Sequence, residues 1–125
     1  MTHGCRGNGD RGVAALGIFI VGILYLLMPR TMATSFGLPT IPHEDATPWL
    51  RLKGIRDLAT GIVAGVLIVT APSDVLGWAV LAFTIIPLGD AITILRARGP
   101  WWAAVGIHGA TVAVMLVGSA LLLGA

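Results

Sequence analysis

The sequence predicts an all-α fold, an integral membrane four-helix bundle with a long capping loop between helices 1 and 2. Of the 125 residues, 56% are hydrophobic and only 11% are charged, and the mean hydropathy is +0.90. A soluble domain carries about 25% charged residues. The few charges of this chain are grouped between long apolar stretches, a pattern that excludes a soluble globular domain and a disordered chain.

Four apolar stretches are close to the roughly 20 residues that a helix needs to cross the roughly 30 Å hydrocarbon core of a bilayer. They are continuous rather than alternating, which favours helices, and an open sheet cannot satisfy its backbone groups in lipid. The first stretch does not read as a signal peptide, because its apolar core is long and further spans follow it. After a leader at residues 1–11, we predict a domain over residues 12–125, with spans at about 12–29, 51–71, 74–95 and 101–124.

Helix-breaking or basic residues end the first three predicted spans. The first stops at Pro29-Arg30, the second at Pro72 and the third at Arg96. The only long connection is the loop at residues 31–50, whose prolines and two apolar patches predict an ordered cap over the mouth of the bundle. Loops of this length in compact proteins are usually functional or disordered, and the apolar content of this one favours a function.

The distribution of basic residues predicts the orientation in the membrane. Arg6 and Arg11 lie on the side of the N-terminus. The side of the first and third loops carries Arg30, Arg51, Lys53, Arg56, Arg96 and Arg98. Because cytoplasmic loops carry the excess of Lys and Arg, we predict that loops 1 and 3 are cytoplasmic and that both termini lie outside, in a bacterial plasma membrane.

Polar and ionisable side chains inside the predicted spans are the main functional signal. Arg56 and Asp57 open the second span, Asp90 lies in the third and His108 lies in the fourth. At about 1.5 Å per residue, Asp90, His108 and Tyr25 lie roughly 7 to 10 Å inside the cytoplasmic edge. A charge within the membrane costs a few kcal/mol and is rare unless it is paired or functional. We therefore expect one polar layer to which all four helices contribute.

Such a layer predicts acid–base chemistry, because two carboxylates in different surroundings can divide into a proton donor and an anion. We expect a small membrane-embedded enzyme that acts on a lipophilic small molecule as an isomerase, a cyclase or a hydrolytic ring-opening enzyme, with no cofactor. Asp90 is the preferred general acid or base and His108 its partner, which could shuttle protons at neutral pH. Arg56 would stabilise developing negative charge, and Asp57 would orient Arg56 or share the proton.

Neighbouring residues predict space and substrate contacts at this level. Pro87 interrupts the third span, Gly89 removes a side chain beside Asp90, and Gly61 and Gly65 allow close helix approach. A metal site is not predicted, because a single helical histidine lacks a second ligand at metal-binding spacing. The residues expected to contact substrate are Tyr25, Trp49, Phe83, Trp101 and Glu44.

A structural role is the alternative from another class. In that interpretation the Arg, Asp and His side chains satisfy one another and hold the helices in register within a non-catalytic membrane subunit or a carrier of a lipophilic ligand. For either function the expected partners are membrane lipid and a lipophilic small molecule, with homo-oligomers favoured by the many small residues. Nucleic acid is excluded, because eight basic against six acidic residues leave too small an excess for a phosphate-binding surface.

Several short motifs support a family resemblance. They are Phe36-Gly37-Leu38-Pro39, Gly54-Ile55-Arg56-Asp57-Leu58 with Gly61, Gly89-Asp90 and Ile107-His108-Gly109. In this arrangement the chain resembles the small four-helix membrane proteins of domain of unknown function 4267, found in bacteria and fungi, over nearly its whole length after the leader. Its general shape also resembles the DoxX-type four-helix membrane proteins. The resemblance implies that Arg56, Asp57, Asp90 and His108 belong to one recurrent set.

Overall fold

The structure, a computed structural model, describes residues 16–17, 19–40 and 43–124, and over these residues it contains helices, turns and loops but no strand. The predicted leader lies outside the described residues. We number the helices in chain order: α1 (residues 19–27), α2 (Pro29–Ser35), α3 (Thr47–Thr70), α4 (Ser73–Phe83), α5 (Ile85–Arg96), α6 (Trp101–Ala103) and α7 (Ala110–Leu123). A 3-10 helix (Glu44–Ala46) precedes α3, and a π-helix (Ala104–Gly109) joins α6 to α7.

The chain divides into two compact units. The first comprises Met1–Ala33 and Pro42–Ala71, and the second comprises Thr34–Ile41 and Pro72–Ala125. The first unit therefore contains α1 and α3, and the second contains α4 to α7.

The first residues of the predicted loop between spans 1 and 2 are helical in the structure. The expected loop at residues 31–50 is shorter in the structure, because α2 occupies Pro29–Ser35 and α3 already begins at Thr47. Proline is compatible with both starts: it stands first in α2 and within the first two positions of α3, where its missing N–H has no partner to lose.

Within the first unit, α1 and α3 approach each other at glycines. A Cβ atom at Gly22 would collide with the backbone of Leu58, and one at Gly54 would lie 2.9 Å from Tyr25 Cβ. Real Cβ atoms do not approach other atoms so closely, so only glycine permits this separation of the two backbones. Small residues are common at contacts between apolar helices, because they let the two backbones approach closely.

Gly61 and Gly65 were both predicted to allow close helix approach on α3, but only Gly61 lies at this contact. A Cβ at Gly61 would lie 2.7 Å from the Phe19 backbone nitrogen, whereas one at Gly65 would meet no atom within 4 Å among the described residues. The close contact therefore depends on Gly61.

Within the second unit, α4 packs on α7 through a glycine and a buried hydrogen bond. The hydroxyl of Ser119, which is 2% exposed, donates to the carbonyl oxygen of Gly77 at 2.9 Å. A Cβ at Gly77 would lie 2.8 Å from Leu123 Cγ, so any larger residue there would displace the Leu123 side chain. The serine satisfies a carbonyl oxygen that already belongs to a helix, and it joins the two helices at a defined register.

Two helical stretches are long and apolar enough to cross a membrane. They are Ser73–Arg96, in which α4 and α5 follow one another across Thr84, and Trp101–Leu123, with 24 and 23 residues. Only 22% and 11% of their most apolar windows are buried, whereas the core helix of a soluble protein is mostly buried. The all-α fold is thus confirmed over the described residues, and two of the predicted spans have the length and composition of membrane helices.

Replacing Gly61 by alanine should destabilise the protein, and replacing Gly65 should not. Gly61→Ala forces a methyl group onto the Phe19 backbone, which costs about 1 to 3 kcal/mol of the free energy of unfolding. Gly65→Ala adds a methyl group in open space and gains up to about 1 kcal/mol of helix propensity. Thermal unfolding of both purified variants beside the parent, in one detergent, measures the difference; equal melting temperatures would contradict the contact.

Candidate functional site

Asp90 lies on α5 in a region where the helix is interrupted by a proline. The interruption predicted from Pro87 is found at Thr84, between α4 and α5, and Pro87 itself lies in the first turn of α5. The Thr84 hydroxyl donates to the carbonyl oxygen of Val80, in the last turn of α4, at 2.9 Å. A Cβ at Gly89, the residue before Asp90, would meet no described atom within 4 Å, so packing does not require glycine at this position.

His108 lies in the π-helix, an element that the sequence analysis did not predict. A π-helix has i→i+5 hydrogen bonds and therefore holds an extra residue in its turn, and such segments are rare and frequent at functional sites. The segment Ala104–Gly109 lies between α6 and α7, and a Cβ at Gly106 would meet no described atom within 4 Å. The sequence signal for this wider turn is weak, because it consists only of Gly106 and Gly109 on either side of the histidine.

The π-helix packs beside α5 and brings His108 to Asp90, as the sequence analysis expected. His108 Nδ1 lies 3.6 Å from Asp90 Oδ2, within the distance of an ion pair and just beyond that of a hydrogen bond. The side chains of His108 and Asp90 are 13% and 28% exposed, so both are partly covered and remain accessible. A carboxylate beside an imidazole can orient the ring and stabilise its protonated form.

Phe36 contacts His108, although the sequence analysis did not name it as a candidate site residue. Its ring centroid lies 5.0 Å from that of His108, and the two ring planes are tilted by 52°. The next residue, Gly37, has φ of 101°, which favours glycine, and a Cβ there would lie 2.7 Å from Ala103 Cβ. Part of the predicted cap therefore contacts the histidine. The signal was present in the sequence, since Phe36 belongs to one of the motifs of the family resemblance.

The first unit contains a second polar cluster, formed by Tyr25, Lys53 and Asp57. Lys53 Nζ lies 2.7 Å from Asp57 Oδ2 and 4.7 Å from the centroid of the Tyr25 ring. Tyr25 is 3% exposed, and its hydroxyl donates to the carbonyl oxygen of Met32 at 3.4 Å. The lysine thus combines an ion pair with a cation–π contact.

Asp57 pairs with Lys53 rather than with Arg56, which differs from the expected arrangement. Residues four positions apart on a helix lie on one face, whereas adjacent residues point in different directions. Lys53 and Asp57 have the first spacing on α3, and the side chain of Arg56 is exposed. The spacing of Lys53 to Asp57 is a sequence signal for this pair, although Lys53 was predicted only to add positive charge to the cytoplasmic side.

The residues predicted to contact substrate have different environments. Trp49 and Trp101 are 73% and 71% exposed, and Phe83 is half-buried at the end of α4. The backbone of Glu44 opens the 3-10 helix, but its side chain lies outside the described part of the structure. Among the described residues, no three histidine, cysteine or carboxylate side chains come together as metal ligands would.

Residues 15–122 match the model of a protein family whose description is Domain of unknown function (DUF4267). The chain belongs to the DUF4267 family. The match confirms the resemblance based on the short motifs, and it includes both polar pairs of this DUF4267 protein. No curated protein and no solved structure matches the chain. The coarser resemblance to DoxX-type proteins stays a prediction.

Removing the Asp57 carboxylate should affect stability more than removing the Arg56 charge. Asp57→Asn removes a partly exposed ion pair and should lower the free energy of unfolding by about 0.5 to 1 kcal/mol, while Arg56→Gln should change it little. Combining Asp57→Asn with Lys53→Met should cost less than the sum of the single changes, because one interaction is lost in both. Thermal melts of the double-mutant cycle measure this coupling; a coupling of Asp57 to Arg56 instead would contradict the pairing.

Proposed function

We propose that this DUF4267 protein is an integral membrane four-helix bundle. Its spans would be the helix that contains α1, the apolar part of α3, and the stretches Ser73–Arg96 and Trp101–Leu123. Large aliphatic side chains on these helices support the proposal because they lie on the outside: Val69, Val114 and Leu121 are 84%, 72% and 70% exposed. Exposed apolar surface on this scale is unfavourable in water and is covered by lipid in a membrane.

The proposed orientation places loops 1 and 3 in the cytoplasm of a bacterial cell and the termini outside. Substituting single cysteines into a Cys5→Ser background tests it. Ser73→Cys, at the first residue of α4 directly after the second loop, should react with a membrane-impermeant maleimide on intact cells. Ala97→Cys, in the third loop, should react only after permeabilisation. Both native side chains are exposed, so accessibility of the position itself is matched. The reverse labelling pattern would contradict the orientation.

The Asp90–His108 pair carries the functional proposal. Two partly covered ionisable side chains 3.6 Å apart within apolar helices are costly in lipid and are rare unless they are functional. We infer that the pair performs acid–base catalysis on a lipophilic small molecule. Isomerisation, cyclisation and hydrolytic ring opening can each proceed by proton transfer without a cofactor.

Within the pair, His108 is the better placed proton carrier. Its Nδ1 atom faces Asp90, so a proton directed from Nδ1 to the carboxylate leaves the lone pair on Nε2 for a substrate proton. Asp90 then orients the ring and stabilises the imidazolium that forms. The sequence predicted Asp90 as the general acid or base and His108 as its partner, so this assignment exchanges their roles. Charge stabilisation by Arg56 and substrate contacts by Tyr25, Trp49, Phe83, Trp101 and Glu44 stay predictions.

Turnover should depend on both members of the pair. Purified protein is incubated with a lipid extract of the membranes in which it is produced, and liquid chromatography with mass spectrometry follows compounds that change retention at constant mass or gain one water. His108→Gln and Asp90→Asn should each reduce conversion by about 100-fold or more, the typical contribution of general acid–base catalysis. Asp74→Asn, the same chemical change at an exposed position, is the matched control. Unchanged conversion in His108→Gln would remove it from the mechanism.

The rival function is a non-catalytic membrane subunit or a carrier of a lipophilic ligand. The contact of Asp90 with His108 joins α5 to the π-helix, and such a contact can hold helices in register without any chemistry. Melting temperatures of the same variants separate the two functions. A structural pair loses several kcal/mol when one partner is removed, whereas a functional polar cluster tolerates neutralisation or gains stability from it.

A further inference from the structure

The turn after α5 places an arginine where glycine is the usual residue. The helix ends at Arg96, and Arg98 has φ of 59°, in the left-handed region. The Arg98 N–H donates to the carbonyl oxygen of Leu95 at 3.1 Å, and the Gly99 N–H donates to that of Ile94 at 2.8 Å. This pair of bonds forms a Schellman motif, whose left-handed position favours glycine because a Cβ atom there is strained.

The glycine of this turn lies one residue later, for a different reason. A Cβ at Gly99 would lie 2.5 Å from the carbonyl oxygen of Gly37 and 2.7 Å from Ile94 Cγ2, so packing space requires glycine there. That requirement does not explain the arginine at position 98. Glycine or asparagine would adopt the left-handed conformation at lower cost.

The arginine lies in a short cationic and aromatic segment, which we call the Arg98 patch: Arg96, Arg98, Trp101 and Trp102. Both arginines are exposed, and the two tryptophans are 71% and 59% exposed. In the part of the chain that the structure describes, neither arginine forms an ion pair with a carboxylate. The patch therefore presents positive charge beside uncovered indole rings, at the point where one membrane-length helical stretch ends and the next begins.

We propose that the Arg98 patch binds the phosphate-bearing headgroup of an anionic phospholipid in the surrounding bilayer. The inference rests on the membrane placement proposed above and is independent of catalysis at His108. A guanidinium group binds phosphate oxygens with two parallel hydrogen bonds, and indole rings lie preferentially at the headgroup level. The anionic cytoplasmic leaflet supplies this ligand on the side predicted for loop 3. The strained backbone of Arg98 is retained because its charge is used, as at other functional sites.

The experiment compares melting temperatures of the purified protein in a neutral detergent with added phosphatidylglycerol or phosphatidylcholine of the same acyl chains. Phosphatidylglycerol should raise the melting temperature of the parent by about 3 °C more than phosphatidylcholine, since a ligand of the folded state stabilises it. Arg98→Asn and Arg98→Gly should lose most of this difference. Both should also melt at or above the parent in phosphatidylcholine, because they relieve the strained turn.

Arg51→Gln is the matched control, because it removes an exposed arginine from a regular helix. It should keep the phosphatidylglycerol effect; an equal loss would mean that net positive charge explains the preference and would overturn the site. The proposed site is also overturned if both lipids raise the melting temperature of the parent equally. It is overturned likewise if inorganic phosphate alone raises the melting temperature as much as phosphatidylglycerol does. If the parent is soluble without detergent and neither phospholipid changes its melting, the membrane placement itself has failed.

Discussion

Close packing of helices at glycine is the contact on which both units of this protein depend. In the first unit Gly22, Gly54 and Gly61 let the backbones of α1 and α3 approach each other closely, and in the second unit Gly77 makes room for leucine side chains of α7. Under the membrane placement proposed above, these helices gain little by burying apolar surface against each other, because lipid is equally apolar, so close packing determines how they associate. The buried hydrogen bond from Ser119 to Gly77 adds register to a contact that apolar packing alone defines poorly.

This packing determines which polar groups meet. On α3, helical spacing aligns Lys53 with Asp57, and the close approach of α1 places the Tyr25 ring beside the lysine. In the second unit, the π-helix and α5 bring His108 and Asp90 together from distant parts of the sequence. The ion pair of Lys53 with Asp57 therefore forms within one helix, whereas the contact of His108 with Asp90 depends on tertiary packing. The second arrangement is the better candidate for chemistry, because one imidazole nitrogen faces the carboxylate while the other can exchange a proton with a bound molecule.

The segment around Gly37 connects the site to the turn after α5. Phe36 lies against His108, while the Gly37 carbonyl oxygen packs where a side chain at position 99 would otherwise stand. Gly99 is therefore used for packing, and the left-handed position of the turn is left to Arg98. The left-handed backbone favours glycine at position 98, and packing requires it at position 99. The residue that occupies the strained position is Arg98, for which we propose a role in binding phospholipid.

The amino-acid sequence alone predicts the all-α class, the membrane-length stretches at Ser73–Arg96 and Trp101–Leu123, and the family. Those features follow from hydropathy, helix-breaking residues and short motifs, all of which are local. Packing of the helices is needed to show that His108 lies beside Asp90, that the histidine belongs to a π-helix, and that the Phe36 ring contacts it. The direction of a side chain depends on helical phase and on the neighbouring backbone, and a single extra residue in a turn changes that phase without a strong signal in composition or periodicity.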